Sequence, residues 1–360
     1  MKFSTHPLKV IFLIFLFFSE VLTVVGQQTQ NMIYSPRSYI CNYIDKDIKV
    51  TIDGELSERA WSRAVWTESF TDIEGDIRAK PYLDTRVKML WDEEYLYIAA
   101  ELMESHLWAT YDKQDMIIFE ENNFEVFIDP DGDTHNYMEL ELNALGTIWD
   151  LLLAKPYRDF GNPINSYDLR SIKKGIKLYG TLNNTADRDD KWAIEIAIPW
   201  SAISEINTHK GPPREGEFWK INFSRVEWDR DIKDGKYIKQ KDASTKKEKA
   251  ENNWVWSPQG SIAMHKPEMW GLVIFSKNAD EKLLKPALEI DQIKWKLRKI
   301  YFQQQAFFSK YGIYTSEIPT DFSKADVEIK VLGDTYTVKY CKNRTCWYLR
   351  EDSRIWEKKK

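Results

Sequence analysis

Two short stretches, NFEVFID (123–129) and YMELELNA (137–144), carry carboxylates at every second position. Read as strands, the first puts Phe124, Val126 and Ile128 on one face and Glu125, Phe127 and Asp129 on the other. The second sends Met138, Leu140 and Leu142 inward, so Glu139, Glu141 and Asn143 project together on the opposite side. A third stretch, WKINFSRVEW (219–228), adds Asn222 and Ser224, with Arg225 beside them to neutralise part of the acidic group and donate in a fork. Carboxyls, amides and a guanidinium on one surface are the partners that sugar hydroxyls need, around an aromatic ring that meets the apolar face of the sugar. The same alternation is also that of an ordinary solvated sheet face. Directly after the first stretch, DPDGD (129–133) spaces Asp129, Asp131 and Asp133 as hard oxygen ligands suited to calcium. The later bidentate Glu of an EF-hand is missing at its spacing, and Asp and Gly also favour any tight turn.

Two carboxylates flanking a glycosidic bond are the minimum for hydrolysis, and Glu125 with Glu139 or Glu141 can be drawn that way. Neighbours on an open sheet lie in water, however, where little raises the pKa of a general acid. The expectation is therefore binding without catalysis, and no stretch beside these strands is long enough for a hydrolase barrel.

The elements that must position these residues are strands. VKMLWDEEYLYIAAELME (87–104) alternates on both sides of an acidic turn and predicts a hairpin. Further strands are predicted at 48–53, 123–129, 137–144, 147–154, 176–182, 191–198, 217–228 and 270–276, with a short helix at 57–64. This pattern predicts an all-β chain, an antiparallel β-sandwich. The polar, Lys-rich segment 231–253 reads as a surface loop. From about residue 281, Ile293, Leu297, Ile300, Gln304, Phe307 and Tyr311 fall at helical spacing and a β meander follows, a small α+β appendage. The expected organisation is a signal peptide at 1–26, a lead-in at 27–43, the sandwich at 44–276 and the appendage at 277–360. The signal is read from Lys2 and Lys9 ahead of VIFLIFLFF, and it places the chain in a secreted, periplasmic or cell-surface compartment.

In 360 residues, 51 basic and 56 acidic side chains give a net charge of −5, which offers no basic field for nucleic acid. Fifteen Trp are an anomaly, since an indole has to be buried with its N–H paired or serve as a stacking surface. Of three Cys, Cys341 and Cys346 bracket KNRT at the mouth of a hairpin, where a disulfide is expected, and Cys41 is left as a buried thiol.

Six motifs then occur in one order: IDGELSERAW (52–61), VKMLWDEEYLYIAAEL (87–102), NNFEVFIDPDGD (122–133), NALGTIWDL (143–151), WAIEIAIPWSAI (192–203) and MWGLVIFS (269–276). Over residues 44–276 the chain resembles the family 9 carbohydrate-binding modules and their family 9-like relatives. The resemblance implies a sandwich of the DOMON type, non-catalytic sugar binding, structural calcium and attachment to enzymes that degrade polysaccharides. It makes the 87–104 hairpin scaffold, with Trp91, Tyr95 and Tyr97 as packing. The family clamps its sugar between two Trp rings, which by motif fall here on Phe119 and near Met264. Phe119 can still stack, whereas Met264 has no flat face. Trp108, Trp254, Trp256 and Trp270 stand nearby as substitutes or as core. The family's Glu is kept as Glu125, and its Arg on the next strand is replaced by Glu139. No organic cofactor is expected, although Met264 and His265 admit a haem-binding alternative of the same fold, and the appendage admits a docking role in a surface complex.

Overall fold

The computed structural model describes residues 34–359, apart from 321 and 324, so the signal peptide at 1–26 lies outside the described residues. The chain divides into two compact units, one holding Pro36–Glu289 and the other Ile290 to the C-terminal end.

In the first unit one hydrogen-bonded path runs through eleven strands. Its order is Pro163–Ile164, Ile148–Leu153, Tyr137–Asn143, Asn123–Asp129, Phe218–Glu227, Gly271–Ser276, Ser38–Tyr43, Thr85–Trp91, Tyr95–Met103, Lys191–Pro199 and Lys173–Tyr179. The path folds into two layers over one core. Val87, Met89, Ile98, Ala100 and Ile196 come from one layer, and Phe124, Val126, Leu140, Leu142 and Phe223 from the other. The predicted β-sandwich is what forms, and period-two alternation is its cause. One departure is that Ser38–Tyr43, ahead of residue 44, runs parallel to both Gly271–Ser276 and Thr85–Trp91 and joins the layers. Trp91 is buried, with its indole N–H donating to the Cys41 carbonyl at 3.0 Å, and the Tyr97 hydroxyl donates to Asp92 at 2.8 Å.

The segment 48–53 is not a strand. The carboxylate of buried Glu195 accepts the backbone N–H of Asp53 at 3.0 Å and of Gly54 at 2.9 Å, and the indole N–H of Trp61 at 2.6 Å. A side chain thus does the work of a neighbouring strand. Gly54 sits at φ +88° with its Cα against the Ile176–Lys177 backbone, where a Cβ would come within 2.5 Å of Lys177 N. Within 231–253 the structure places a hairpin, Arg230–Lys233 with Lys236–Lys239, where the sequence suggests only loop.

The expected helix and meander both form in the C-terminal part of the chain. A helix, Leu284–Tyr311, continues into the second unit, and Ile293, Leu297, Ile300 and Tyr301 pack on a meander of Val327–Leu332, Thr335–Lys342, Thr345–Arg350 and Ile355–Lys359. Cys341 and Cys346 are cross-strand partners joined by a disulfide, and Cys41 is a buried free thiol in the sandwich core. Among the described residues, no helix is long and apolar enough to cross a membrane.

Candidate functional site

Strand register brings the acidic residues together. Ser224 faces Glu125, Glu125 faces Glu141 and Glu141 faces Trp149, so four adjacent strands contribute one cross-strand row. In the next row Asn222 faces Phe127 and Phe127 faces Glu139. Carboxyl oxygens of Glu125, Glu139 and Glu141 all lie within 4.8 Å of one another. The Asn123 amide donates to Glu125 at 3.0 Å and to Glu141 at 3.1 Å, and so bridges the first pair.

The expected solvated face is corrected here. Glu125 and Glu139 are each 5% exposed, and Glu141, Asn143 and Asn222 are more deeply buried still. Flanking loops close over this side of the sheet. Asn143 donates to the Tyr111 carbonyl at 2.7 Å and to Glu121 at 2.6 Å, and accepts from the Leu145 and Thr147 amides at 3.1 and 3.0 Å. Asn222 clamps the backbone of Ser257 with two bonds of 2.8 Å. Both amides therefore hold loops and are not free for a ligand. Burial also overturns the premise that these carboxyls are ordinary acids in water. Desolvation pushes Glu125 up to about 7 and holds Glu139 and Glu141 well above the carboxylate range, with mutual repulsion adding to the last two.

Arg225 does not join this row. Alternation puts it on the opposite face of its strand, the side of Ile221 and Phe223, where it is buried against Glu104 and Glu227. Trp270 is also no platform. Fully buried, it packs on Phe127 and Tyr137 and donates its indole N–H to the Met264 carbonyl at 3.0 Å. Trp254 and Trp256 are core. Met264 is half-buried against the Phe127–Trp270 cluster.

Phe119 is where a platform would stand: 40% exposed, its ring centroid 6.0 Å from that of Trp149, with the planes 33° apart. Sequence reasoning missed Trp149, although its pairing opposite Glu141 follows from the alternation in TIWDLLLA. His265 entered the sequence reading only with Met264, as a haem-binding alternative, and not as a neighbour of the acidic row. That ring meets the Tyr137 hydroxyl at 3.1 Å, lies 3.7 Å from Glu139 and is held edge-on by Tyr157, and burial lowers its pKa to about 4. The loop carrying it is pinned by the bidentate Arg158–Glu268 pair at 2.6 and 2.9 Å.

At one end of the same sheet face, Asp129, Asp131 and Asp133 each bring an oxygen within 4.8 Å of the others. Asp129 also accepts from the amides of Gly132 and Thr134 at 3.0 and 2.9 Å, which stiffens the turn. Three converging anionic oxygens on a short loop fit a hard divalent cation.

Residues 52–276 match the family model described as carbohydrate family 9 binding domain-like, which covers more than half of the chain. The chain belongs to this family. It is 26% identical over 156 residues to exoglucanase XynX of Acetivibrio thermocellus, a match covering 43% of this chain and 12% of that protein. It is 28% identical over 120 residues to endo-1,4-beta-xylanase A of Thermoanaerobacterium saccharolyticum, covering 33% and 9%. The matched segments are thus about a tenth of the curated relatives' length. A family 9 carbohydrate-binding module from Caldicellulosiruptor kristjanssonii in complex with cellotriose aligns with 67% of this chain and 94% of its own, at 15% identity and a TM-score of 0.42.

Proposed function

We propose that the chain is a secreted, non-catalytic carbohydrate-binding protein, and that its ligand meets Phe119 and Trp149 with Glu125 and Glu139 beneath. The observation that carries this reading is the exposed Phe119 ring beside Trp149, over a row of carboxyls preorganised by Asn123. Together they supply a flat apolar surface, with Glu125 and Glu139, each 5% exposed, as the nearest hydroxyl partners at its edge. The carboxyls at raised pKa accept hydrogen bonds, and in their protonated form donate as well. All three stem from one face of adjacent strands, so no acid and base flank a bond from two sides. Export is supported by the charged and apolar N-terminal sequence, and action beside a polysaccharide-degrading enzyme by the kind of proteins in which related segments occur.

A glycan array and affinity gels in calcium buffer test this. Phe119→Ala and Trp149→Ala should each weaken retention by about ten-fold, the equivalent of one lost ring contact. A wild type that retains no glycan overturns the reading.

Calcium at Asp129, Asp131 and Asp133 would tie the turn after the Glu125 strand and so stabilise the face. A chelator should remove the linkage energy, about 2.7 kcal/mol at a hundred times the dissociation constant, and so lower the melting temperature. A melt unmoved by chelation, and unmoved again by Asp131→Asn, removes the three as ligands.

A further inference from the structure

We infer that the sandwich carries a second carbohydrate subsite, a cavity of about 530 Å³ beneath the Arg230–Lys239 hairpin that takes an uncharged sugar residue. Its volume is that of a small-ligand pocket. Tyr82 is 59% exposed, an unusual position for a large ring unless something holds it there. Two contacts do: its ring stands edge-on to Trp254 with centroids 4.9 Å apart, and its hydroxyl donates to Asp229 at 3.1 Å. Asp229 is fixed in turn by Lys249 at 3.2 Å. A ring held at both ends loses little freedom when a ligand stacks on it.

Polar groups ring the same cavity. His106 Nδ1 meets the Tyr237 hydroxyl at 3.0 Å, Arg230 reaches Ser105 at 3.2 Å, and Gln240 donates to Asp231 at 3.2 Å. A guanidinium, an amide and a carboxylate in one lining are groups that bond sugar hydroxyls. Charge narrows the class: Arg230 stands in the lining with Asp229 and Asp231, and Lys249 pairs with Asp229 from outside it, so the site disfavours a uronate or a phosphate relative to a neutral polyol. The choice of a sugar among neutral ligands rests on the function proposed above.

The cavity adjoins the first face through the chain itself. The Trp228 indole donates to the Phe119 carbonyl at 3.0 Å, and Asn122 bonds Glu227 and the Trp228 amide at 3.0 and 2.8 Å. Both sites therefore lie at the same end of the strand Phe218–Glu227, as subsites for one oligosaccharide would.

The test is NMR titration of the full chain with cellohexaose and xylohexaose, reading the Ile232 methyl for the cavity and the Trp149 indole for the sheet face. With at least one of the two sugars, the Ile232 signal should shift in wild type and in Phe119→Ala. Tyr82→Ala should weaken that shift at least about ten-fold and leave Trp149 responsive, while Tyr82→Phe stays within about three-fold of wild type. Shifts confined to Trp149 overturn the second subsite and keep the first; shifts confined to Ile232 do the reverse. Silence at both positions with both sugars overturns both, and an Ile232 response unchanged in Tyr82→Ala overturns the role of the cavity.

Discussion

Replacing Arg225 with Met should cost about 3–5 kcal/mol of stability, the range for removing one partner of a buried ion pair. The guanidinium lies inside the sandwich, with Nη2 donating to Glu104 at 2.8 Å and to Glu227 at 2.9 Å. Nη1 donates to the Met103 carbonyl at 2.8 Å and to Thr85 at 3.2 Å. Burial already raises Glu227 to about 8, ahead of its repulsion by Glu104 and even with Arg225 beside it. Met fills much of the volume yet removes the donor from one oxygen each of Glu104 and Glu227 and from the Met103 carbonyl, in a dry interior. Denaturant unfolding measures the loss, and Arg225→Met with Glu227→Gln should recover part of it, because the two residues share one network. A loss under about 1 kcal/mol would mean that Glu104 and Glu227 find water or each other, and the buried network would not be the anchor described.

Arg225 also shows where the sequence stops being legible. Alternation in NFEVFID, YMELELNA and WKINFSRVEW places each side chain on a face, and the strands form as that alternation requires. Strict period two puts Arg225 opposite Ser224. Alternation along the strand therefore cannot bring its guanidinium to the acidic row. What the pattern cannot say is what covers a face. Polar residues on an antiparallel sheet usually face water, yet here the loops held by Asn143 and Asn222 close over them. Those loops carry no periodicity, so their positions follow from long-range hydrogen bonds that a local reading does not see. Segment 48–53 departs from the strand pattern for a related reason: at its end the Asp53 amide, like that of Gly54 after it, is paired by Glu195, more than a hundred residues away. Helix and meander are legible because helical periodicity and hairpin pairing are local, and the Cys341–Cys346 pair because it spans a single hairpin.

At pH 8.5, Glu125→Gln should be more stable than the wild type by about 3 kcal/mol, and at pH 4 the two should nearly coincide. Burial raises the folded-state pKa of Glu125 from 4.5 to about 7. A raised carboxyl contributes stability that is fully present below the unfolded value and is lost as pH rises through the folded one. The wild type therefore loses this contribution between about pH 4.5 and somewhat above 7, while Gln has no proton to give up. Removing the Glu125 charge also relieves Glu139 and Glu141, whose pKa values it raises, which adds in the same direction. His265, lowered to about 4, and Lys266, lowered to about 8, carry the opposite sign, with stability lost as pH falls through those values. The difference between the two proteins at each pH is therefore the quantity to read, on the order of 5–10 °C in melting temperature at pH 8.5. An unchanged or lower melt for the variant at that pH would mean the carboxyl is not held in the protonated form by its surroundings. If the variant is more stable and also binds glycan less well, Glu125 is a group kept against stability for its ligand, since a purely structural residue would gain one without losing the other.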